Sequence, residues 1–266
     1  MDLASDYIRL PSSEVRLEAI LSLMEGAKPL ADLQADMQRR NTTILHALND
    51  LAEIGIVEQV NKDYKLTSLG LMEGALLRAS VDMAETLENF QEFWLSHDVS
   101  VIPPHLMLQI GALKDSHLIK MEEVNLGRVH SSFLELLGES KMIQGISPIF
   151  HEDYITIFAG LLEKGAEVEL ILTGEVLGQI ESTIGLDSML PYIEQGKLRI
   201  LRRDNLSIGL TVTDKILSLG LFTIQGTYDY SMDLVSSEPG AREWGLSLYR
   251  YYREGATEIQ NVGGFR

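Results

Sequence analysis

Cysteine is absent from this 266-residue chain. It therefore has no disulfide, no thiolate metal site and no cysteine nucleophile. Basic residues are scarce, with 22 Lys and Arg against 39 Asp and Glu, a formal charge of −17 at pH 7. No apolar run approaches the ~18 residues that a membrane span requires. Met1-Asp-Leu-Ala-Ser-Asp-Tyr7 lacks the basic start and apolar core of a secretory signal, so the chain is expected in the cytoplasm with no membrane partner. Motifs of chemistry are missing too: there is no HExxH, no GxSxG elbow, no Walker loop and no GxGxxG. The histidines, at 46, 97, 105, 117, 130 and 151, show no metal-ligand spacing, so neither a metal nor a cofactor is expected.

What is present is an ordinary globular composition, 45% apolar and 23% charged, at a length that suits two domains. The charge is unevenly placed. Residues 1 to 70 hold 7 Lys and Arg against 11 Asp and Glu, a net of −4, and the remainder carries −13. The second part is thereby expected to repel phosphates and leave nucleic acid to the first.

In the first part, Leu17, Ile20, Leu21 and Met24 recur at helical spacing, which predicts a packing helix from about Glu14 to Met24. Leu33 and Met37 mark a second helix. Arg39-Arg40-Asn41 interrupts it, with Asn41 expected to cap a third helix from about Thr42 to Ile54 that Gly55 stops. A β-ribbon follows, with Asn61-Lys62-Asp63 at its tip and Tyr64-Lys-Leu-Thr-Ser-Leu-Gly70 beyond. This order is the plan of a winged helix-turn-helix. On the third helix Leu45, Leu48 and Ala52 fall on one side and Thr43, His46, Ala47 and Asp50 on the other, which gives a core face and a face to present. Such a face can enter a major groove. Thr42, Thr43, His46 and Asn49 carry groups for base edges, Ala47 a methyl for thymine, and Arg39, Arg40, Lys62 and Lys65 charges for phosphates. The alternative use of such a module is protein docking, and the acidic balance keeps it open.

Beyond the ribbon, Leu69, Met72, Leu76, Ala79, Met83, Leu87, Phe90 and Trp94 form a near-heptad seam on a helix from Leu69 to Trp94. The seam can pair with its copy in a homodimer or pack on its own C-terminal domain. Further helices are predicted over Leu106 to Leu113 and Leu118 to Leu137. From Lys141 on, short β-prone runs alternate with helices, as in an α/β sheet domain. The division predicted is a DNA-binding domain over 1–80, a helical linker over 81–138 and a regulatory domain over 139–266. Ser147, Thr173, Asp204, Asp214, Tyr228 and Asp229, with Tyr230 and Asp233, lie at predicted strand ends or loops, where α/β sheets bind small molecules. Each also suits a turn. Gly209 and Gly220 are read as strand glycines at bulges or close crossings and not as phosphate cradles, and His151-Glu152-Asp153 as a helix start.

With both halves in view, the chain resembles the archaeal winged-helix transcription regulators of the methanogenesis regulatory protein family. The stretches that carry the resemblance are Leu48-Asn-Asp-Leu-Ala-Glu-Ile-Gly-Ile-Val57, Gly145-Ile-Ser-Pro-Ile-Phe150, Val168-Glu-Leu-Ile-Leu-Thr173, Leu210-Thr-Val-Thr-Asp214, Gly226-Thr-Tyr-Asp229 and Trp244-Gly-Leu-Ser-Leu-Tyr249. The resemblance implies sequence-specific binding of double-stranded DNA, usually as a homodimer, under control of an effector sensed by the C-terminal domain; it leaves the effector open, and the strand-end residues make a small molecule the candidate. That domain is similar at fold level to phospholipase D-like sheets. Their catalytic HxKxxxxD is missing here, since His117-Leu-Ile-Lys120 has the wrong spacing, so a regulator and not an enzyme is expected.

Overall fold

A computed structural model describes residues 13–120 and 137–259. The chain divides into two compact units, Met1–Ala84 and Glu85–Arg266.

In the first unit, helix α1 (Glu14–Leu23) leads through a two-residue strand β1 (Lys28–Pro29) into α2 (Leu30–Met37) and α3 (Asn41–Glu53). Strands β2 (Val57–Val60) and β3 (Asp63–Leu66) form an antiparallel hairpin, and β1 pairs with the outer edge of β3. Gly55, at φ +78°, supplies the left-handed residue that ends α3, and Asn61, at φ +58°, opens the two-residue hairpin turn. Ile20, Leu23, Leu33, Ile44, Leu48, Leu51 and Ile56 fill one core. The α3 cap differs from expectation. Arg40 is the extended residue before the helix, its carbonyl accepting from the Thr43 and Ile44 amides at 2.9 and 3.1 Å, and Asn41 is already the first helical residue. No side chain caps this helix, so the Asn41 amide stays outside.

Helix α4 runs from Ser68 to Asn89. Thr67 starts it, its hydroxyl accepting from the Gly70 amide at 3.0 Å and donating to the Gly55 carbonyl at 2.6 Å. The predicted helix to Trp94 is broken at Phe90, and α5 covers only Gln91–Ser96. The break lets Phe90 and Phe93 leave the straight axis and become buried. The seam proper thus ends at Leu87.

The second unit is built on an eight-stranded mixed sheet. Its strands are β4 (His117–Lys120), β5 (Met142–Ser147), β6 (Glu167–Leu172), β7 (Leu198–Arg202), β8 (Ile208–Thr213), β9 (Leu217–Leu221), β10 (Met232–Ser236) and β11 (Thr257–Glu258). Their spatial order is β11-β7-β6-β5-β8-β9-β10-β4. The β5, β6 and β7 strands are parallel and the remaining pairings antiparallel. Helices α6 (Pro104–Met107), α7 (Glu152–Glu163), α8 (Gly174–Ile184), α9 (Leu190–Glu194) and α10 (Pro239–Glu254) complete the described α-helices. Two expectations fail here. Leu106 to Leu113 is a short helix and a 3-10 turn, and Leu118 opens no helix: His117–Lys120 is an edge strand paired with β10. A four-residue segment with two apolar residues, Leu118 and Ile119, has no helical period of its own, and the unpaired edge of β10 decides it. The rest of the predicted 118–137 helix, through residue 136, lies outside the described residues.

Alternation along the strands separates two layers. Val168, Leu172, Leu198 and Ile200 face α7, α8 and α9 in one core. On the other face lies α10, whose Tyr249 hydroxyl and Arg253 guanidinium both donate to the Glu169 carboxylate at 2.8 Å. Burial pushes that carboxyl up, but the bonds from Arg253 and Tyr249 outweigh it and hold it below the usual glutamate range.

Candidate functional site

On α3 the side chains sort by face. Ile44, Ala47, Leu48 and Leu51 are buried, while Asn41, Thr42, Thr43, His46 and Asn49 are exposed in a continuous strip that begins at the helix N-terminus. Ala47 is only 5% exposed, which removes the methyl contact suggested for it. A wheel placed it at the margin of the polar face, and packing against α1 draws that margin inward.

Charge on this surface is spoken for in part. Arg39 donates to Glu18 at 2.8 Å and lies 3.1 Å from Glu14, and these carboxylates push its pKa up. Lys65 lies 3.0 Å from Glu58. His46 is 3.3 Å from Asp50, which Arg16 also approaches at 3.9 Å. Arg40 and Lys62 are exposed and make no ion pair among the described residues. Two of four expected phosphate-facing cations are therefore already neutralised within the unit.

In the second unit the six expected effector residues do not converge. Ser147, Thr173 and Asp204 lie at the ends of β5, β6 and β7 that point one way. Thr173 caps α8 by accepting from the Val176 amide at 3.2 Å, and Asp204 accepts from the Gly174 amide at 2.8 Å. Asp214 follows β8, which runs antiparallel to β5, and so lies at the opposite end of the sheet, accepting from the Lys141 amide at 2.9 Å. Tyr228 and Asp229 fall with Asp233 into a third group. Gly209 and Gly220 are register partners, and a Cβ at either would collide with the Tyr228 hydroxyl. The paired glycines are thus a bed for that ring. Asp229 meets His97 Nε2 at 3.1 Å, while Nδ1 of that imidazole donates to the Phe93 carbonyl at 2.7 Å. Burial, then the neighbouring Asp229 carboxylate, raises the Asp233 carboxyl to about 6. His151 is the N-cap of α7, its Nδ1 accepting from the Asp153 amide at 3.3 Å.

Between α7, α8, α9 and the sheet lies a cavity of about 300 Å³, bordered by Ser147, Phe150, Tyr154, Phe158, Ile180 and Met189 among others. Only Ser147 of the expected residues reaches it. Of the others that form it, His151 reads in the sequence as part of a helix start and the apolar ones as ordinary core. The one signal was that α7, Glu-Asp-Tyr-Ile-Thr-Ile-Phe-Ala-Gly-Leu-Leu-Glu, has more apolar positions than a single buried stripe uses.

Among the described residues no group of histidines and carboxylates is placed to hold a metal ion, and no helix is long and apolar enough to cross a membrane.

Comparison with known proteins gives two family matches in chain order. Residues 6–85 match the N-terminal domain of methanogenesis regulatory protein FilR1, and residues 126–255 match its middle domain. The curated methanogenesis regulatory protein FilR1 of Methanothrix harundinacea (strain 6Ac) is 31% identical over 255 residues, 93% of this chain. The chain spans 56% of the length of that relative. Among solved structures, the archaeal chromatin protein TrmBL2, whose structure is titled as showing a novel mode of DNA binding, is 13% identical, with 93% of this chain and 94% of that chain covered at a TM-score of 0.45. NucT from Helicobacter pylori is 13% identical, covering 55% of this chain and 99% of its own at 0.41. Phosphatidylserine synthase of Haemophilus influenzae Rd KW20 is 13% identical, with 84% and 59% covered at 0.44. At these scores none of the three decides fold or function. The two domain matches in order, with an identity that runs through both, place the chain in the family of the methanogenesis regulatory protein FilR1.

Proposed function

We propose that the protein is a sequence-specific, DNA-binding transcription regulator whose first unit is a winged helix-turn-helix with α3 as the recognition helix. The observation that carries this is the exposed strip Asn41, Thr42, Thr43, His46 and Asn49 on a helix whose other side is locked into a core. Such a helix can present hydrogen-bonding groups to base edges without unfolding. Arg39, Arg40, Lys62 and Lys65 flank it as the phosphate-facing set, with Arg40 and Lys62 carrying most of that work.

The regulator acts as a homodimer joined along α4. Leu69, Met72, Leu76 and Leu87 on its seam are 41%, 74%, 62% and 43% exposed, a row of large apolar side chains that a second copy would cover. The sheet unit, a phospholipase D-like domain without HxKxxxxD, serves as the effector-sensing part and not as a hydrolase. Its effector shifts the dimer between two states by binding one more tightly.

Selection of binding sequences from random duplex DNA by the full chain tests this reading. Enrichment of a two-fold symmetric site, lost in Arg40→Ala with Thr43→Ala while the fold is kept, is the expected result. Recovery of no enriched sequence at low salt would overturn it in favour of a protein-docking module.

A further inference from the structure

We propose that the cavity between α7, α8, α9 and the sheet is a binding site for a small, neutral, predominantly apolar molecule. This inference rests on the regulator reading for its purpose, since it names the chemistry of the effector. Its volume of about 300 Å³ is far beyond the water-sized voids that protein interiors retain, and it stands at the lower end of the range for small-molecule pockets. It is therefore sized for a compact ligand and not for a second helix. Its border contains no Asp, Glu, Lys or Arg side chain, and the one imidazole on it, His151, has the Asp153 carboxylate 3.6 Å away. The few polar groups on it are largely engaged: the Ser147 hydroxyl donates to the Ile149 carbonyl at 2.7 Å and the Ser188 hydroxyl to the Gly185 carbonyl at 2.8 Å.

Water in such a chamber has few partners, so an apolar guest gains by displacing it. An anion gains nothing. The titratable groups on the border are Tyr154, Tyr192 and His151, whose Nδ1 lies 3.6 Å from the Asp153 carboxylate, and Asp233 and Tyr230 of the cluster on the glycine bed stand close to Tyr154. Burial first, and then the neighbouring Asp233, Tyr230 and Asp153, hold the Tyr154 phenol up at about 12, and the Asp233 and Asp153 carboxylates would oppose a carboxylate or sulfonate guest. The site thus separates neutral from anionic ligands of one shape.

Two matched fluorescent probes read this directly: neutral N-phenyl-naphthylamine and its sulfonated relative, anilinonaphthalene sulfonate, titrated into the full chain. The neutral probe should bind about tenfold or more tightly than the sulfonate. Ala159→Phe on α7, and separately Ile180→Phe on α8, should each weaken the neutral probe by about tenfold or more, with circular dichroism and melting temperature marking which variant is folded. No binding by the wild type, equal binding of both probes, or unchanged binding in a folded filled variant would each overturn the proposal. A DNA shift on the same preparation keeps the two readings apart. DNA binding without probe binding removes the ligand site alone, whereas probe binding without DNA binding removes the regulator and leaves the site.

Discussion

The outer face of α3 and the chamber beside α7 are opposites in what they offer a partner. The first is a strip of exposed hydroxyl, amide and imidazole groups whose neighbouring cations are half consumed by Glu14, Glu18 and Glu58. The second is a half-open, predominantly apolar pocket whose border holds no Asp, Glu, Lys or Arg and a single imidazole, His151. On the proposed reading, binding at the first would be governed by the geometry of hydrogen bonds with little ionic pull, so discrimination would dominate raw affinity. Binding at the second would be governed by desolvation, so shape and neutrality would dominate. A regulator with both can keep a weak hold on random DNA and still answer to an uncharged signal. Helix α4, with its exposed row, is the element through which two copies would hold two such strips at fixed spacing.

The largest expected effect comes from that helix. Leu76→Lys with Leu87→Lys should separate the subunits and lower affinity for a symmetric site by roughly 100-fold through loss of the second half-site contact. Because Leu76 and Leu87 are exposed in the isolated chain, the melting temperature of each unit should barely move. Sedimentation and a thermal melt on one preparation check this, and an intact dimer with a lowered melting point would show that the helix packs on its own chain.

Next in size is Asp233→Asn, which probes whether the sheet unit stores instability beside the chamber. The folded value of about 6 lies above that of an unfolded aspartate. At pH below ~4 the carboxyl is protonated in both states and costs nothing. As the pH rises, the unfolded chain ionises first, and stability is lost until the folded carboxyl ionises near 6. The Asn variant should therefore gain about 2 to 3 kcal/mol at pH 7 to 8 and little at pH 4, read by urea unfolding at both values. An equal gain at both would assign the effect to packing.

On α3, Thr43→Ala and His46→Ala should each cost about 1 to 3 kcal/mol at one base pair and little elsewhere. A loss spread evenly over all positions would make these residues backbone contacts. The smallest effects are ionic. With Arg39 and Lys65 already paired, the slope of log K against log salt should match roughly two to four phosphate contacts per subunit. Asp50→Asn, which removes the carboxylate 3.3 Å from His46, should raise affinity by no more than about 1 kcal/mol. A slope corresponding to eight or more contacts would mean that this surface is more basic than its ion pairs allow.

Of the two regions, the first could largely be read along the chain and the second could not. The strip on α3 was legible because a helix fixes which residues share a face within four positions, so Thr43, His46 and Asn49 needed no tertiary information. Even there Ala47 was misassigned, since a margin residue is claimed by whichever neighbour packs on it. The chamber was not legible. Its border draws on residues from Ser147 to Ile200, brought together by parallel pairing of β5, β6 and β7, and nothing local distinguishes Phe158 or Ile180 from filled core. Asp214 shows the same limit. Strand C-termini looked equivalent in sequence, but β8 runs against β5 and carries its end to the far side.

The sequence by itself determined the helices and hairpin of the first unit, the exposed positions Thr43, His46 and Asn49 on α3 and the α4 seam as far as Leu87, because each follows from a period of two or 3.6 along one segment. Tertiary structure alone decided four things: that the seam breaks at Phe90, that His117–Lys120 pairs as an edge strand, that Tyr228 lies on two facing glycines, and that a cavity opens beside α7. Each of these depends on groups far apart in the chain competing for the same space or the same backbone hydrogen bonds. Local periodicity carries no record of that competition.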